Sequence, residues 1–178
     1  MMQTDRRILQ TRDKLYQALL AFYKAGGAFS ALTVRQLCVR ADVSRQTFYR
    51  HYNEPKEIIT KRMATHQAEF LHSFRMQNLN ARSMVTQLVS AWDGRTELFE
   101  LVEWADCRQK FIQDLADFNA RIAQQNGVHL IDGNAIDHIY AASCYMFLRA
   151  YILEKRWDRD QGVKLLLHLT NNMDMIFE

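Results

Sequence analysis

The amino-acid sequence predicts an all-α protein, and three observations support that prediction. The 178 residues include one proline and six glycines, so few residues interrupt regular structure. Ile8, Leu15, Leu19 and Phe22 recur at intervals of three, four and seven, which places them on one face of a helix. Hydrophobic residues make up 48% of the chain, which is enough to bury a core in one or two domains.

Local signals mark where the helices begin and end. Gly26-Gly27 ends the first helix, Pro55 suits the first turn of the fourth, and Asn126-Gly127 ends the seventh. Two short helices flank a turn at Ala41-Asp42-Val43, and the eighth helix starts near Asp132-Gly133-Asn134. The other helices are predicted over residues 5–25, 55–76, 81–92, 105–125, 134–157 and 160–176, and one more helix is predicted to start near residue 96.

The two short helices form the most informative stretch of the chain. Thr33 and Gln36 have the spacing of a capping box, which satisfies free backbone amides at a helix start. Ser44 is a favourable N-cap for the second short helix. On that helix Phe48 can face inward while Arg45 and its polar neighbours face away. A helix with such a polar face suits the major groove of DNA.

The polar face of the second short helix carries residues that are able to read bases. Arginine donates two hydrogen bonds to guanine O6 and N7, and glutamine pairs in the same way with adenine N6 and N7. Arg45 and Gln46 are therefore predicted to read bases, and Arg50 is a third candidate. Because every surface helix has a polar side, an ordinary helical hairpin is the alternative interpretation.

The uneven distribution of charge favours the DNA-binding interpretation. Residues 1–66, the basic part, contain 12 Lys and Arg against 5 Asp and Glu, a net charge of +7. Residues 67–178, the acidic part, contain 11 against 15, a net charge of −4. A basic first third on an acidic remainder indicates that one region binds a polyanion and the other has a different task.

Residues 11–59 resemble the N-terminal DNA-binding domain of TetR/AcrR-type transcriptional regulators. The matching residues are Thr33-Val34-Arg35-Gln36-Leu37, Ala41 to Tyr49, His51-Tyr52 and Lys56-Glu57. The resemblance implies an all-helical homodimer with two domains in each chain. Residues 1–54, the head, would form a three-helix helix-turn-helix domain, and residues 55–178, the body, a helical ligand-binding and dimerisation domain. The body matches the family only in size and helical character.

Two positions depart from the family pattern. Asp42 stands where the family usually has glycine, but aspartate tolerates a left-handed backbone better than most residues, so we expect the turn to form. Pro55 stands where the family has a lysine that contacts a phosphate, and Lys56 is the candidate replacement. The residues predicted to contact phosphates are Thr33, Ser44, Thr47, Tyr49, His51, Tyr52 and Lys56.

Dimerisation is predicted to use the last two helices. Both have apolar faces, and Ala141-Ala142-Ser143 allows close approach of a second helix. A two-fold dimer of this kind sets its recognition helices about 34 Å apart, which requires a near-palindromic operator. The alternative is that the same faces only close the core of one chain. The predicted interface residues are Ile136, Ile139, Tyr140, Ser143, Phe147, Val163, Leu166, Leu167, Thr170 and Met173.

The body also contains large side chains that, by the resemblance, would line a ligand cavity. The candidates are Phe70, Phe74, Trp92, Phe99, Trp104, Phe111 and Met146. Such a lining suits an apolar or aromatic molecule. Glu103, Asp106 and Arg108 are candidates for a polar anchor. Plain core packing and a solvated charged face are the alternatives.

No cofactor, metal site or enzymatic function is predicted. His66, Glu69 and His72 are three residues apart, and the rotation of a helix spreads them too widely to bind one metal ion. The three cysteines are scattered, which fits a reducing cytoplasm, and no apolar run is long enough to cross a bilayer.

The sequence therefore predicts a cytoplasmic DNA-binding transcriptional regulator, specifically a repressor that a small molecule releases from its operator. The ligand would act by favouring a conformation with more widely separated heads. One alternative is a TetR-like co-regulator whose body binds a protein partner instead of a metabolite. Another is a helical ligand-binding protein whose head has lost DNA binding.

Overall fold

The computed structural model describes residues 2–73, 81–125 and 132–171, and the regular structure there is entirely helical, as predicted. The helices are α1 (Met2–Lys24), α2 (Val34–Ala41), α3 (Arg45–His51), α4 (Lys56–Ser73), α5 (Ala81–Trp92), α6 (Thr96–Trp104), α7 (Arg108–Gln125), α8 (Gly133–Ile152) and α9 (Arg159–Asn171). A 3₁₀ turn at Phe29–Ala31 lies between α1 and α2. No helix in these ranges is both long and apolar enough to cross a membrane.

Two helices are shorter than the sequence predicts. Helix α7 begins at Arg108 rather than 105, because Asp106 adopts a left-handed backbone (φ 51°) and turns the chain. Helix α8 ends at Ile152 rather than 157, and Lys155 (φ 49°) lies in the turn that follows. Neither break contains a glycine or proline. The predicted ends at residues 76 and 176 lie outside the described residues.

The head is a compact packing of α1, α2 and α3. Leu15, Leu19, Leu37 and Phe48 are fully buried at its centre, so Phe48 does face inward as predicted. Helix α4 extends this core with Ile58 and its neighbours before it continues into the body. One long helix therefore belongs to both domains.

The core of the body is aromatic. Helix α7 packs along α8, and α5 packs along α9. Between them Trp92, Phe99, Phe111 and Tyr145 form what we call the aromatic cluster, with neighbouring ring centroids 5.1 to 5.7 Å apart. Tilted and edge-to-face pairs at these distances are favourable, so the cluster stabilises the body beyond the burial of its area.

The corner between α6 and α7 joins the body to the head. Trp104 Nε1 donates a hydrogen bond of 2.8 Å to the carbonyl of Gly27. The Trp104 ring lies 5.0 Å from Phe29 and 5.4 Å from Tyr23. A Cβ atom at Gly27 would lie 2.2 Å from the Phe22 ring, so the chain passes at a distance that only glycine permits.

Candidate nucleic-acid interface

The caps predicted from the sequence fix the geometry of α2, the turn and α3. Thr33 Oγ1 accepts from the Gln36 amide at 3.2 Å, and Gln36 Oε1 accepts from the Thr33 amide at 2.8 Å. Ser44 Oγ accepts from the Thr47 amide at 3.1 Å and so starts α3. Asp42 adopts φ 51° and ψ 53°, so the turn forms with aspartate in the left-handed region.

Helix α3 presents a polar and cationic surface to solvent. Arg45, Gln46, Tyr49 and Arg50 are exposed, whereas Phe48 between them is fully buried. Neither Arg45 nor Arg50 has a carboxylate within 4 Å among the residues that the structure describes. Their guanidinium groups are therefore available to an external acceptor such as a base edge or a phosphate.

Three predicted phosphate contacts lie at the starts of the two short helices. Thr33 and Ser44 are exposed, and Thr47 is half-buried. Their hydroxyls take part in the caps, and Thr47 Oγ1 lies 2.9 Å from Ser44 Oγ. The contacts of these residues with DNA, like those of the exposed Tyr49, stay predictions.

The structure contradicts the phosphate contact predicted for Tyr52. Its side chain is only 4% exposed and packs against Phe48, with ring centroids 5.8 Å apart. Lys61 Nζ covers the ring at 5.0 Å. Burial raises the pKa of the phenol. The Tyr52 side chain therefore belongs to the core of the head, where its ring packs against Phe48.

The structure also gives Lys56 a different partner from the predicted one. Its Nζ donates a hydrogen bond of 3.1 Å to the backbone carbonyl of Asp106, in the corner between α6 and α7. The ammonium group thus ties the start of α4 to the body. In this arrangement Lys56 does not replace the phosphate-contacting lysine that the family has at the position of Pro55.

His51 lies at the end of α3 in a positive environment. Partial burial lowers its pKa, and Arg12, Lys61 and Arg50 lower it further. The imidazole is therefore neutral at pH 7, because its ordinary pKa is already about 6.5. A contact between His51 and a phosphate would rest on a hydrogen bond and not on charge.

Solved structures with the same fold were found, although no family model and no curated protein matches the chain. Lin0861 from Listeria innocua has a TM-score of 0.84 at 24% identity, over 94% of this chain and 92% of that one. A proposed TetR-family transcriptional regulator from Syntrophomonas wolfei has a TM-score of 0.69 at 15% identity, over 92% and 94%. The fold is TetR-like. The dihydroxyacetone kinase operon activator DhaS has a TM-score of 0.57 at 15% identity, over 94% and 98%.

Among the described residues, a small cavity lies beside the aromatic cluster of this TetR-like body. The structure brings the predicted pocket residues Trp92, Phe99 and Phe111 together in the aromatic cluster, with Phe70 beside them. The cavity next to the cluster has a volume of about 20 Å³, which is room for one water molecule. Its lining residues are Gln67, Phe70, Leu88, Trp92, Phe111, Leu115 and Phe118. A drug-sized ligand would have to separate these side chains.

Two predicted pocket residues lie elsewhere in the body. Trp104 packs against the head at the corner between α6 and α7, and Met146 is 56% exposed on α8. The prediction that they line one cavity with the aromatic cluster is wrong, because helical spacing did not reveal which side of α6 and α8 faces inward. Phe74 lies outside the described residues.

The predicted polar anchor is part of an internal network. Glu103 accepts a hydrogen bond from the Tyr145 hydroxyl and lies 3.5 Å from Arg108 and 3.4 Å from Arg149. Asp106 lies in the corner between α6 and α7, where its backbone carbonyl accepts the hydrogen bond from Lys56. The carboxylate of Glu103 thus already has two arginines and one hydroxyl as partners.

An open groove runs between α4 and α7, and its volume is about 680 Å³. It is polar, with a mixture of acidic and basic side chains. Gln67 lines both this groove and the small cavity, so the groove leads toward the aromatic cluster. The residues along the groove are Asn53, Glu57, Thr60, Lys61, Ala64, Gln67, Ala68, Lys110, Asp114, Asp117 and Arg121.

The predicted dimer residues divide into two groups. Ile139 is 60% exposed, and Ser143 and Met146 continue the same stripe along α8. Leu169 adds a further exposed apolar side chain on α9. This stripe is available to a second chain.

The second group of predicted dimer residues lies inside the chain. Phe147, Val163 and Leu166 are buried where α8 and α9 pack against the rest of the body. They form the core of one chain, as the alternative interpretation held, and the interface prediction is wrong for them. Ile136, Tyr140 and Leu167 are partly buried, and the side chains of Thr170 and Met173 lie outside the described residues.

His66, which the sequence analysis considered and did not predict as a metal ligand, is buried on α4. It makes an edge-to-face contact with Trp92 at 4.7 Å, and neither ring nitrogen has a hydrogen-bond partner among the described residues. Burial lowers its pKa, and Arg95 lowers it further. Within the described residues no group of three or more candidate ligands surrounds a point where a metal ion could bind.

Proposed function

We propose that the protein is a sequence-specific DNA-binding transcriptional regulator that acts as a homodimer in the cytoplasm. The single observation that carries the proposal is the exposed surface of α3. There Arg45, Gln46 and Arg50 face solvent on a helix that the Ser44 cap holds in place, and neither arginine has a carboxylate within 4 Å among the described residues. The TetR-like fold supports the same conclusion, because in it this helix belongs to a helix-turn-helix unit.

In the proposed complex α3 lies in the major groove. Arg45 and Gln46 read base edges through paired hydrogen bonds, and Arg50 is the third candidate. Thr33, Ser44, Thr47, Tyr49 and His51 contact the sugar-phosphate backbone and fix the register of the helix. The exposed stripe of Ile139, Ser143 and Met146 on α8 supports a two-fold dimer, for which a near-palindromic operator is expected.

Regulation by a small apolar or aromatic molecule is the finer part of the proposal. The ligand would enter near Gln67 and open the closed cavity beside the aromatic cluster. Because α4 lines that cavity and also contributes to the core of the head, opening it would shift the position of the head and weaken operator binding. This describes a repressor.

A second candidate is a co-regulator whose body binds a protein partner. The observation that favours it is the cavity volume of about 20 Å³, far below the 300 to 1,000 Å³ of typical small-molecule sites. One protein of similar fold, DhaS, is described as an operon activator, so activation is an alternative to repression here.

The test is selection from random double-stranded DNA by the purified full-length protein, followed by sequencing of the bound fraction. Enrichment of an inverted repeat by the wild type, lost in Arg45→Ala, supports the proposal. Arg121→Ala, an exposed cation on α7, is the matched control and should select the same sequence. Binding without any enriched motif, or no binding at 50 mM salt, would count against sequence-specific regulation.

A further inference from the structure

A group of cations lies where α1, α3 and α4 meet. Lys61 Nζ donates a hydrogen bond of 2.6 Å to the backbone carbonyl of His51, the last residue of α3. The next residue, Arg62, places its guanidinium 4.8 Å from the centre of the Tyr16 ring on α1. These two neighbours on α4 therefore span the junction between α1 and α3.

Two more arginines extend this group. Arg12 precedes Tyr16 by one helical turn on the same side of α1, and Arg50 lies in the last turn of α3. All four side chains are exposed. We call Arg12, Arg50, Lys61 and Arg62 the flanking cluster.

The flanking cluster carries little compensating negative charge. Lys61 pairs with Glu57 at 3.0 Å, and Glu57 also accepts a hydrogen bond from Asn53. Arg12, Arg50 and Arg62 have no carboxylate within 4 Å in the described part of the chain. Like charges that are held together repel one another, and a bound anion removes that repulsion.

The orientation of α1 places Arg12 away from the body. The end of α1 contacts the body, because Lys24 pairs with Glu97 there. Arg12 precedes Lys24 by twelve residues, which is roughly 18 Å along the helix axis. After burial, Arg12, Lys61 and Arg50 also lower the pKa of His51, so these three cations lie close to the end of α3.

We propose that the flanking cluster binds the sugar-phosphate backbone of DNA beside the end of the recognition helix α3. It supplies the positive charge that Lys56 would otherwise provide, since the Lys56 ammonium is bound to Asp106. Arginine suits this role because its planar guanidinium forms paired hydrogen bonds with phosphate oxygens. The inference rests on the proposed function and adds residues from α1 and α4 to the DNA-binding surface.

The salt dependence of binding tests this inference. The probe is the DNA selected by the wild-type protein, and the affinity is measured between 50 and 200 mM salt. Because the proposed dimer carries each residue twice, Arg12→Gln and Arg62→Gln should each lower the slope of log affinity against log salt by about 1.8, with an unchanged preferred sequence. The double variant should lose about 3.6. Arg121→Gln on α7 is the matched control and should keep the wild-type slope.

Charge-preserving variants separate binding from folding. Arg12→Lys and Arg62→Lys should keep the wild-type slope, whereas a packing role would impair the lysine variants as well. If the wild type binds no DNA, the proposed function fails and this inference fails with it. If the wild type selects a motif and Arg45→Ala loses it, while Arg12→Gln and Arg62→Gln keep the full salt slope, the inference alone is overturned.

Discussion

The basic and the acidic parts of the chain use their cations in different ways. Of the ten lysines and arginines described in the acidic part, six lie within 4 Å of a carboxylate. Of the twelve between Arg6 and Arg62 in the basic part, only Lys24 and Lys61 have such a partner among the described residues. Within the described residues, the acidic part pairs most of its cations with carboxylates, whereas the basic part leaves most of its cations without one.

Leaving cations without carboxylate partners lowers the stability of the basic part, so their presence there indicates another role. Cations that repel one another lower the stability of a fold unless something binds them. In the basic part Arg40, Lys61 and Arg62 lie over aromatic rings, whereas Arg45 and Arg50 make no such contact among the described residues. Substitutions on the two sides should therefore affect different measurements, namely stability in the body and DNA binding in the head.

The largest effect on stability is expected from Glu103→Ala in the body. The change leaves the buried Tyr145 hydroxyl without its acceptor and Arg108 and Arg149 without this carboxylate. We expect a loss of about 2–3 kcal/mol in the free energy of unfolding, measured by urea denaturation. The control is Glu154→Ala, which removes a more exposed partner of Arg149 and should cost less than about 1 kcal/mol. Equal losses would contradict the comparison.

Arg45→Ala should show the opposite behaviour. Because its exposed guanidinium has no carboxylate within 4 Å among the described residues, the free energy of unfolding should change by less than about 0.5 kcal/mol. Binding to the preferred DNA should weaken by about 1–3 kcal/mol, and discrimination at one base pair should relax. Titrations with the preferred DNA and with single-base variants measure both quantities. An unchanged sequence preference would remove Arg45 from base reading.

Trp104→Phe removes an uncharged hydrogen bond between the body and the head. Phenylalanine keeps a ring against Tyr23 and Phe29 but cannot donate a hydrogen bond to the Gly27 carbonyl. The expected loss is about 1 kcal/mol in the free energy of unfolding. Trp157→Phe is the control, because the Trp157 ring contacts Phe147 and its indole N–H makes no long-range hydrogen bond to another described residue. A loss of similar size in both variants would assign the effect to ring size.

Features that depend on residues close in sequence could be predicted well. The Thr33 and Ser44 caps join residues three apart, and Phe48 faces inward together with Tyr52, which lies one turn away on the same side. The left-handed turn at Asp42 also follows from local preference. The candidate DNA-binding face could therefore be predicted without knowing how the rest of the chain folds.

Features that depend on tertiary contacts could not be predicted. Lys56 binds the carbonyl of Asp106, 50 positions away, and Trp104 binds that of Gly27, 77 positions away. Helix α8 is apolar over much of its circumference, so periodicity alone could not separate the exposed Met146 from the buried Phe147 beside it. In each case the partner is fixed only when distant helices pack.

Asp42→Gly should raise stability modestly. Asp42 has φ 51°, a region that costs side-chain-bearing residues energy and glycine almost none. We expect a gain of about 0.5–1 kcal/mol in the free energy of unfolding. Asp42→Asn removes the same charge but keeps the side chain, so it should gain less. If both variants gain equally in urea denaturation, the charge and not the backbone strain is responsible.

The smallest effect at pH 7 is expected from His66→Phe, which is informative only in acid. The folded state lowers the pKa of His66 through burial and Arg95, while the unfolded chain has a pKa of about 6.5. As the pH falls below about 6.5 the unfolded chain binds the proton first, so the free energy of unfolding decreases until the pH passes the lowered pKa. Phenylalanine keeps the contact with Trp92 and does not titrate, so this decrease should be shallower in urea denaturation from pH 7 to 5. The remaining slope would include His51, whose pKa is also lowered. A slope equal to that of the wild type would show that the folded state does not lower the pKa of His66.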